Sequence, residues 1–122
     1  MSDRIRLHRI EGNLRLRLGD KTVAEVQRAV HLDESGFPSR LYLPREELPA
    51  DQLRASPTRT TCPYKGVASY HDLVFGEDVV REAAWSYDDP IDAVAAIRGH
   101  LCFDPRHGFV VDREGAVATP VT

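Results

Sequence analysis

The stretch Thr60-Thr61-Cys62-Pro63-Tyr64-Lys65-Gly66 holds a thiol and an amine three residues apart. Pro63 restricts Cys62 to an extended conformation, and Gly66 permits backbone geometry that other residues resist. A loop that is stiff on one side and sharply turned on the other presents the two groups in a fixed relation. A neighbouring ammonium lowers a thiol's pKa and raises its thiolate fraction, which is how reactive cysteines arise. The same residues fit a plainer account, with Cys62 a small buried apolar side chain and Lys65 a solvated charge. Lys65 can also hold an anion as a point charge beside the free N–H groups of the loop. No catalytic residue is assigned on this basis; Cys62 and Lys65 are the candidates.

Further residues could complete a binding site. Tyr64 and Tyr70 can line a pocket or pack in the core, and the lone tryptophan, Trp85, shares a strand face with Tyr87. Arg45, directly after Tyr42-Leu43-Pro44, offers a rigid fork able to grip a carboxylate or phosphate through two parallel bonds. Glu34 is either the internal ion-pair partner of Arg45 or a neighbour of its ligand. His31, His71, His100 and His107 are scattered, and neither CxxC nor HExxH occurs, so no metal site is assigned. Asp88-Asp89 is better explained as a helix cap than as half a metal site.

Short elements must position these groups. Leu14-Arg15-Leu16-Arg17-Leu18 alternates with period two, the mark of a strand with one buried face. Gly19-Asp20 then reads as a turn into a second strand, Thr22 to Leu32. Arg40 to Leu43 is a short strand stopped by Pro44. Arg45 to Arg59, with Pro49 and Pro57, reads as a helical turn followed by a surface loop. Strands are expected at Val67–Phe75 and Val79–Tyr87, joined at Gly76-Glu77-Asp78. Asp89 can cap a short helix near residues 90–99, with Ile91, Val94, Ile97 and Leu101 forming its apolar stripe and Gly99 ending it. Leu101–Phe103 and Phe109–Val111 look like closing strands, and the tail beyond Gly115 is expected to fray, as is the N-terminus.

The 122 residues suit one domain, and 42% hydrophobic against 29% charged residues is a globular balance. A net charge of −3 lacks the basic excess of a nucleic-acid binder, so no nucleic-acid partner is expected. No run approaches the ~20 apolar residues that cross a bilayer, and no signal peptide is visible, which points to the cytoplasm and no membrane partner. Two cysteines forty positions apart, Cys62 and Cys102, read as free thiols.

Thr61-Cys62-Pro63-Tyr64-Lys65-Gly66-x-Ala68-x-Tyr70, with Ala84-Trp85-Ser86-Tyr87 downstream and Tyr42-Leu43-Pro44-Arg45-Glu46 upstream, resembles domain-of-unknown-function family 427, also labelled nucleotidyltransferase family 9. The likeness covers about residues 11–114. It implies a small domain of folded antiparallel sheets, similar to the β-tent domains that often bind zinc through paired CxxC motifs, which this chain lacks. Residues matching the pattern are Arg45, Cys62, Lys65, Gly66, Tyr70, Trp85 and Tyr87; His71 stands where relatives carry tryptophan. Nucleotidyl transfer needs carboxylates spaced for two metal ions and a phosphate-cradling loop, and neither is visible. The expectation is therefore a mostly-β single domain, without cofactor, binding a small polar or anionic ligand near Arg45, Lys65 and Trp85. The alternatives are a protein-interaction or scaffold domain, including a homodimer, an enzyme using Cys62 and Lys65, and metal dependence through His and Cys side chains brought together by folding.

Overall fold

The alternation at Leu14–Leu18 belongs to a longer strand, β1 (Ile5–Leu18), in the computed structural model, which describes residues 4–121. Gly19, with φ at +62°, and Asp20 form a two-residue turn into β2 (Lys21–Glu34). The hairpin runs from Leu18 opposite Lys21 to Ile5 opposite Glu34. β3 (Arg40–Pro44), β4 (Leu53–Cys62), β5 (Gly66–Phe75), β6 (Asp78–Tyr87), β7 (His100–Phe103) and β8 (Phe109–Pro120) follow. All eight strands join one antiparallel sheet in the order β4-β5-β6-β7-β3-β2-β1-β8. The mostly-β antiparallel architecture expected from the strand patterns is present, with all its strands in one sheet.

Period two sends neighbouring residues to opposite faces, and apolar side chains cover both. Leu43 of β3 and Leu101 of β7 join Ile10, Leu14, Leu16, Val26 and Leu73 in one cluster. Tyr42 and Cys102, one position away on the same strands, join Val30, Leu32, Tyr87, Val94 and Ile97 in the other. The second cluster forms the floor beneath the Cys62–Gly66 loop.

Several expectations are corrected. Residues 53–59 form the start of β4 rather than a loop; only Arg45–Glu47 and Ala50–Gln52 are 3-10 turns. Pro57 hides this strand in the sequence because it cannot donate to a ladder. It is accommodated at a register break between Ala55 and Arg59, on an edge of the sheet. The tail beyond Gly115 does not fray, since β8 pairs with β1 as far as Pro120 opposite His8. Met1–Asp3 and Thr122 lie outside the described residues. The helix expected near 90–99 is a pair of 3-10 turns over Asp92–Ile97, broken at Val94 (φ −122°). Val94 and Ile97 are buried as expected, but Ile91 takes the cap position and is 42% exposed. Asp89 makes no cap; it approaches Arg98, and Asp88 accepts from the Ser69 and Ser86 hydroxyls.

Both cysteines are free. No helix among the described residues is long and apolar enough to cross a membrane.

Candidate functional site

The Cys62–Gly66 segment is the hairpin loop between β4 and β5. Cys62 pairs with Gly66, and the Lys65 N–H donates to the Cys62 carbonyl at 3.2 Å, closing a turn with Pro63 at its second position. Proline presets the backbone torsion that this position needs. Gly66 has φ at +119°, and a Cβ there would lie 3.3 Å from the Asp89 carbonyl oxygen, so glycine answers both the torsion and the close approach. The Ile91 N–H donates to the Lys65 carbonyl at 2.9 Å, tying the loop to the segment after β6.

The turn aims Lys65 inward. Its Nζ donates to Glu34 Oε1 at 2.6 Å and approaches Cys62 Sγ at 3.8 Å. Lys65 and Glu34 are 8% and 9% exposed, so this is a buried ion pair. Arg4 lies 3.5 Å from the other carboxylate oxygen of Glu34, and its guanidinium stacks 3.8 Å from the centre of the Tyr64 ring. Glu34 therefore serves Lys65 and Arg4, not Arg45, and Lys65 is a committed partner rather than a free ammonium.

These groups stand on one side of a cavity of about 350 Å³. Tyr70, Trp85, Tyr42 and Tyr87 form its aromatic wall, with Phe37 and Pro38 also lining it. Tyr70 is directly opposite Trp85 across β5 and β6, with ring centres 6.4 Å apart. The Trp85 indole N–H donates to Tyr42 Oη at 3.2 Å, which fixes the indole plane. Burial pushes the Tyr42 and Tyr87 phenols well above their ordinary range, so both are neutral hydrogen-bonding groups. Arg40 lies over Trp85, 5.4 Å from the ring centroid, and Arg106 is held by Asp104, its Nε donating to Oδ1 at 3.1 Å and its Nη2 to Oδ2 at 2.8 Å.

Of the residues singled out in the sequence, Glu34, Cys62, Tyr64, Lys65, Tyr70, Trp85 and Tyr87 line this cavity together. Arg45 does not. Pro44 ends β3, and Arg45 opens the following 3-10 turn, exposed, with its N–H bound to the Gly99 carbonyl at 2.9 Å. The guanidinium groups at the cavity are those of Arg4, Arg40 and Arg106. Arg40 and Tyr42 were linked by a legible signal, since they sit two apart on one strand and share a face. Arg4 follows once the hairpin register places Ile5 opposite Glu34. Arg106 had no comparable signal.

His71 lies outside the cavity. Its Nε2 is 2.9 Å from Ser86 Oγ, and that hydroxyl donates to Asp88 at 3.2 Å. The hydroxyl proton being used there, His71 must donate through Nε2, which leaves its buried Nδ1 as an acceptor without a partner among the described residues. The order serine to aspartate, with histidine behind serine, is the reverse of a nucleophile's relay.

Two larger concavities, of about 410 and 720 Å³, carry no phenyl, phenol or indole side chain among their described lining residues. Residues 6–115 match the family described as a domain of unknown function (DUF427). The chain belongs to that family. No match was found among curated proteins. In this DUF427 chain the residues that carried the resemblance are largely those around the cavity, with Gly66 supporting its loop and Arg45 the exception.

Proposed function

We propose that this DUF427 domain binds a small, flat molecule bearing a carboxylate or phosphate in the cavity between the Cys62–Gly66 loop and Trp85. The observation that carries the reading is the lining itself: Arg4, Arg40, Lys65 and Arg106 against one carboxylate, Glu34, beside four aromatic rings of the wall. Arg106 is partly neutralised by Asp104 and Lys65 by Glu34, so Arg40 is the cation best placed to meet a ligand anion. A guanidinium over an indole leaves room for a planar body between aromatic walls while its fork receives two anionic oxygens. A volume of about 350 Å³ lies within the range of small-molecule sites.

Trp85 is the chain's sole tryptophan, so its fluorescence reports on this cavity alone. Titration with aromatic carboxylates, nucleoside monophosphates and inorganic phosphate should change that emission for at least one planar anion, and not for its neutral amide or nucleoside counterpart. Arg40→Met should weaken that binding at least tenfold. Equal response to charged and neutral members, or no response to any planar anion, would sink the reading.

A further inference from the structure

β1 and β2 bring three metal-ligating side chains to one place on the sheet, remote in sequence from the Cys62 loop. His8 stands directly opposite His31, and Asp33 follows two positions along β2, on the same face as His31. One ligand atom from each of the three lies within 4.8 Å of the others. From this geometry we infer that His8, His31 and Asp33 bind a divalent first-row transition ion such as Zn²⁺, with one or more positions left open to solvent.

Four observations support the assignment. Two imidazoles and a carboxylate are a donor set suited to Zn²⁺, Ni²⁺, Cu²⁺ or Fe²⁺ and unsuited to Ca²⁺ or Mg²⁺, which demand oxygen. A tetrahedral zinc needs donor atoms about 3.3 Å apart, so rotamer adjustments of roughly 1 Å close the site without moving a strand. The carboxylate is already oriented, because the Ser39 hydroxyl donates to Asp33 Oδ1, and Oδ1 faces His31 Nε2 at 3.5 Å. His8 Nδ1 is buried with no hydrogen-bond partner among the described residues, a desolvation that coordination of the ring would help offset. Arg6, directly opposite Asp33, and Arg113, close enough to act on His31, add positive charge nearby. They hold the expected affinity to the micromolar range instead of the tighter binding of a charge-neutral cage.

The test is equilibrium dialysis of the full untagged chain against Zn²⁺, with bound metal counted by mass spectrometry. One equivalent is expected, with His8→Gln, His31→Gln and Asp33→Asn each weakening it at least tenfold and His107→Gln leaving it unchanged. Absence of stoichiometric zinc, or binding unchanged by the three substitutions but lost in Cys62→Ser, overturns the assignment. Because a variant can fail to fold, histidine-ring NMR of the unaltered chain supplies a second measurement. Zn²⁺ should shift the His8 and His31 resonances and spare His71, His100 and His107; any other pattern overturns it.

Discussion

Replacing Glu34 by leucine tests whether the buried ion pair, rather than the loop alone, holds Lys65 at the cavity. Without Glu34, the Lys65 ammonium keeps Cys62 Sγ at 3.8 Å as its hydrogen-bonding neighbour among the described contacts, a weak acceptor. Stranding a charge that is only 8% exposed costs about 3–5 kcal/mol. The converse change, Lys65→Met, leaves Glu34 with Arg4 at 3.5 Å, and the Arg4 side chain is 34% exposed, so a cost nearer 1–3 kcal/mol is expected. Removing both charges together, in Glu34→Leu/Lys65→Met, replaces the pair with apolar groups of similar length and should come within about 2 kcal/mol of the parent. The cycle therefore predicts a coupling of at least about 2 kcal/mol, with the glutamate variant the least stable of the three. Urea unfolding followed by far-ultraviolet circular dichroism measures each step by linear extrapolation. At this chain length Glu34→Leu should lower the melting temperature by roughly 12–20 °C. Additive single effects, or a Lys65→Met variant less stable than Glu34→Leu, would refute the reasoning.

Three further outcomes are expected. Burial pushes the Cys102 thiol up to about 12, while Cys62 is half-buried at the cavity; iodoacetamide at pH 7.5 should therefore modify Cys62 alone in the folded chain and both in urea. Comparable native rates at the two positions would count against this. Burial also holds His71 and His100 below the ordinary imidazole range, so the unfolded chain binds more protons than the folded one as pH falls. That contribution is fully present above roughly pH 6.5 and is lost as pH drops toward the folded-state values. The urea midpoint should fall between pH 7.5 and 5.5, with a smaller fall in His71→Gln; a flat or rising midpoint contradicts it. Finally, Gly12 has φ at +144°, and a Cβ there would sit 2.6 Å from the Ala116 Cα. Gly12→Ala should cost about 3 kcal/mol, against about 1 kcal/mol for Gly36→Ala, where the torsion is also positive but the space is open. Equal costs would show that the close approach to β8 is not limiting.

The fold was legible where strand and turn are decided locally. The Gly19-Asp20 hairpin, the stop at Pro44 and the β5–β6 hairpin each rest on residues within a few positions of one another. What escaped were edges and short connections. β4 and the outer half of β8 lie on the two edges of the sheet, so they lack the buried alternation that marks a strand, and Val117 is 65% exposed. The apolar spacing after Pro90 was real, for Val94 and Ile97 are buried, but six residues between β6 and β7 close as 3-10 turns. The alternation read along β6 is itself interrupted near Glu82, where φ is +51° and β6 fits three residues against one of β5. The Asp72 carboxylate accepts the Glu82 N–H there at 2.7 Å.

The candidate site divides along the same line. Cys62 and Lys65 were visible because one turn positions both, whereas choosing Arg45 over Arg40 ignored strand parity. Arg40 shares the face of Tyr42, and the chain turns after Pro44 before Arg45 can reach it. The histidine pair shows the parity argument at longer range. In the β1–β2 hairpin an extra residue in β2 at Val23 is cancelled by an extra residue in β1 beside Gly12. Counting outward equally from the Gly19-Asp20 turn thus places His8 opposite His31, as though neither irregularity existed. The histidines were far apart only when the chain was treated as a line; folded about its first turn, they are neighbours. The positive torsion at Gly12 then does more than relieve a clash with Ala116. The bulge it belongs to restores the register, and without that restoration His8 would face position 32, whose side chain points to the opposite side of the sheet.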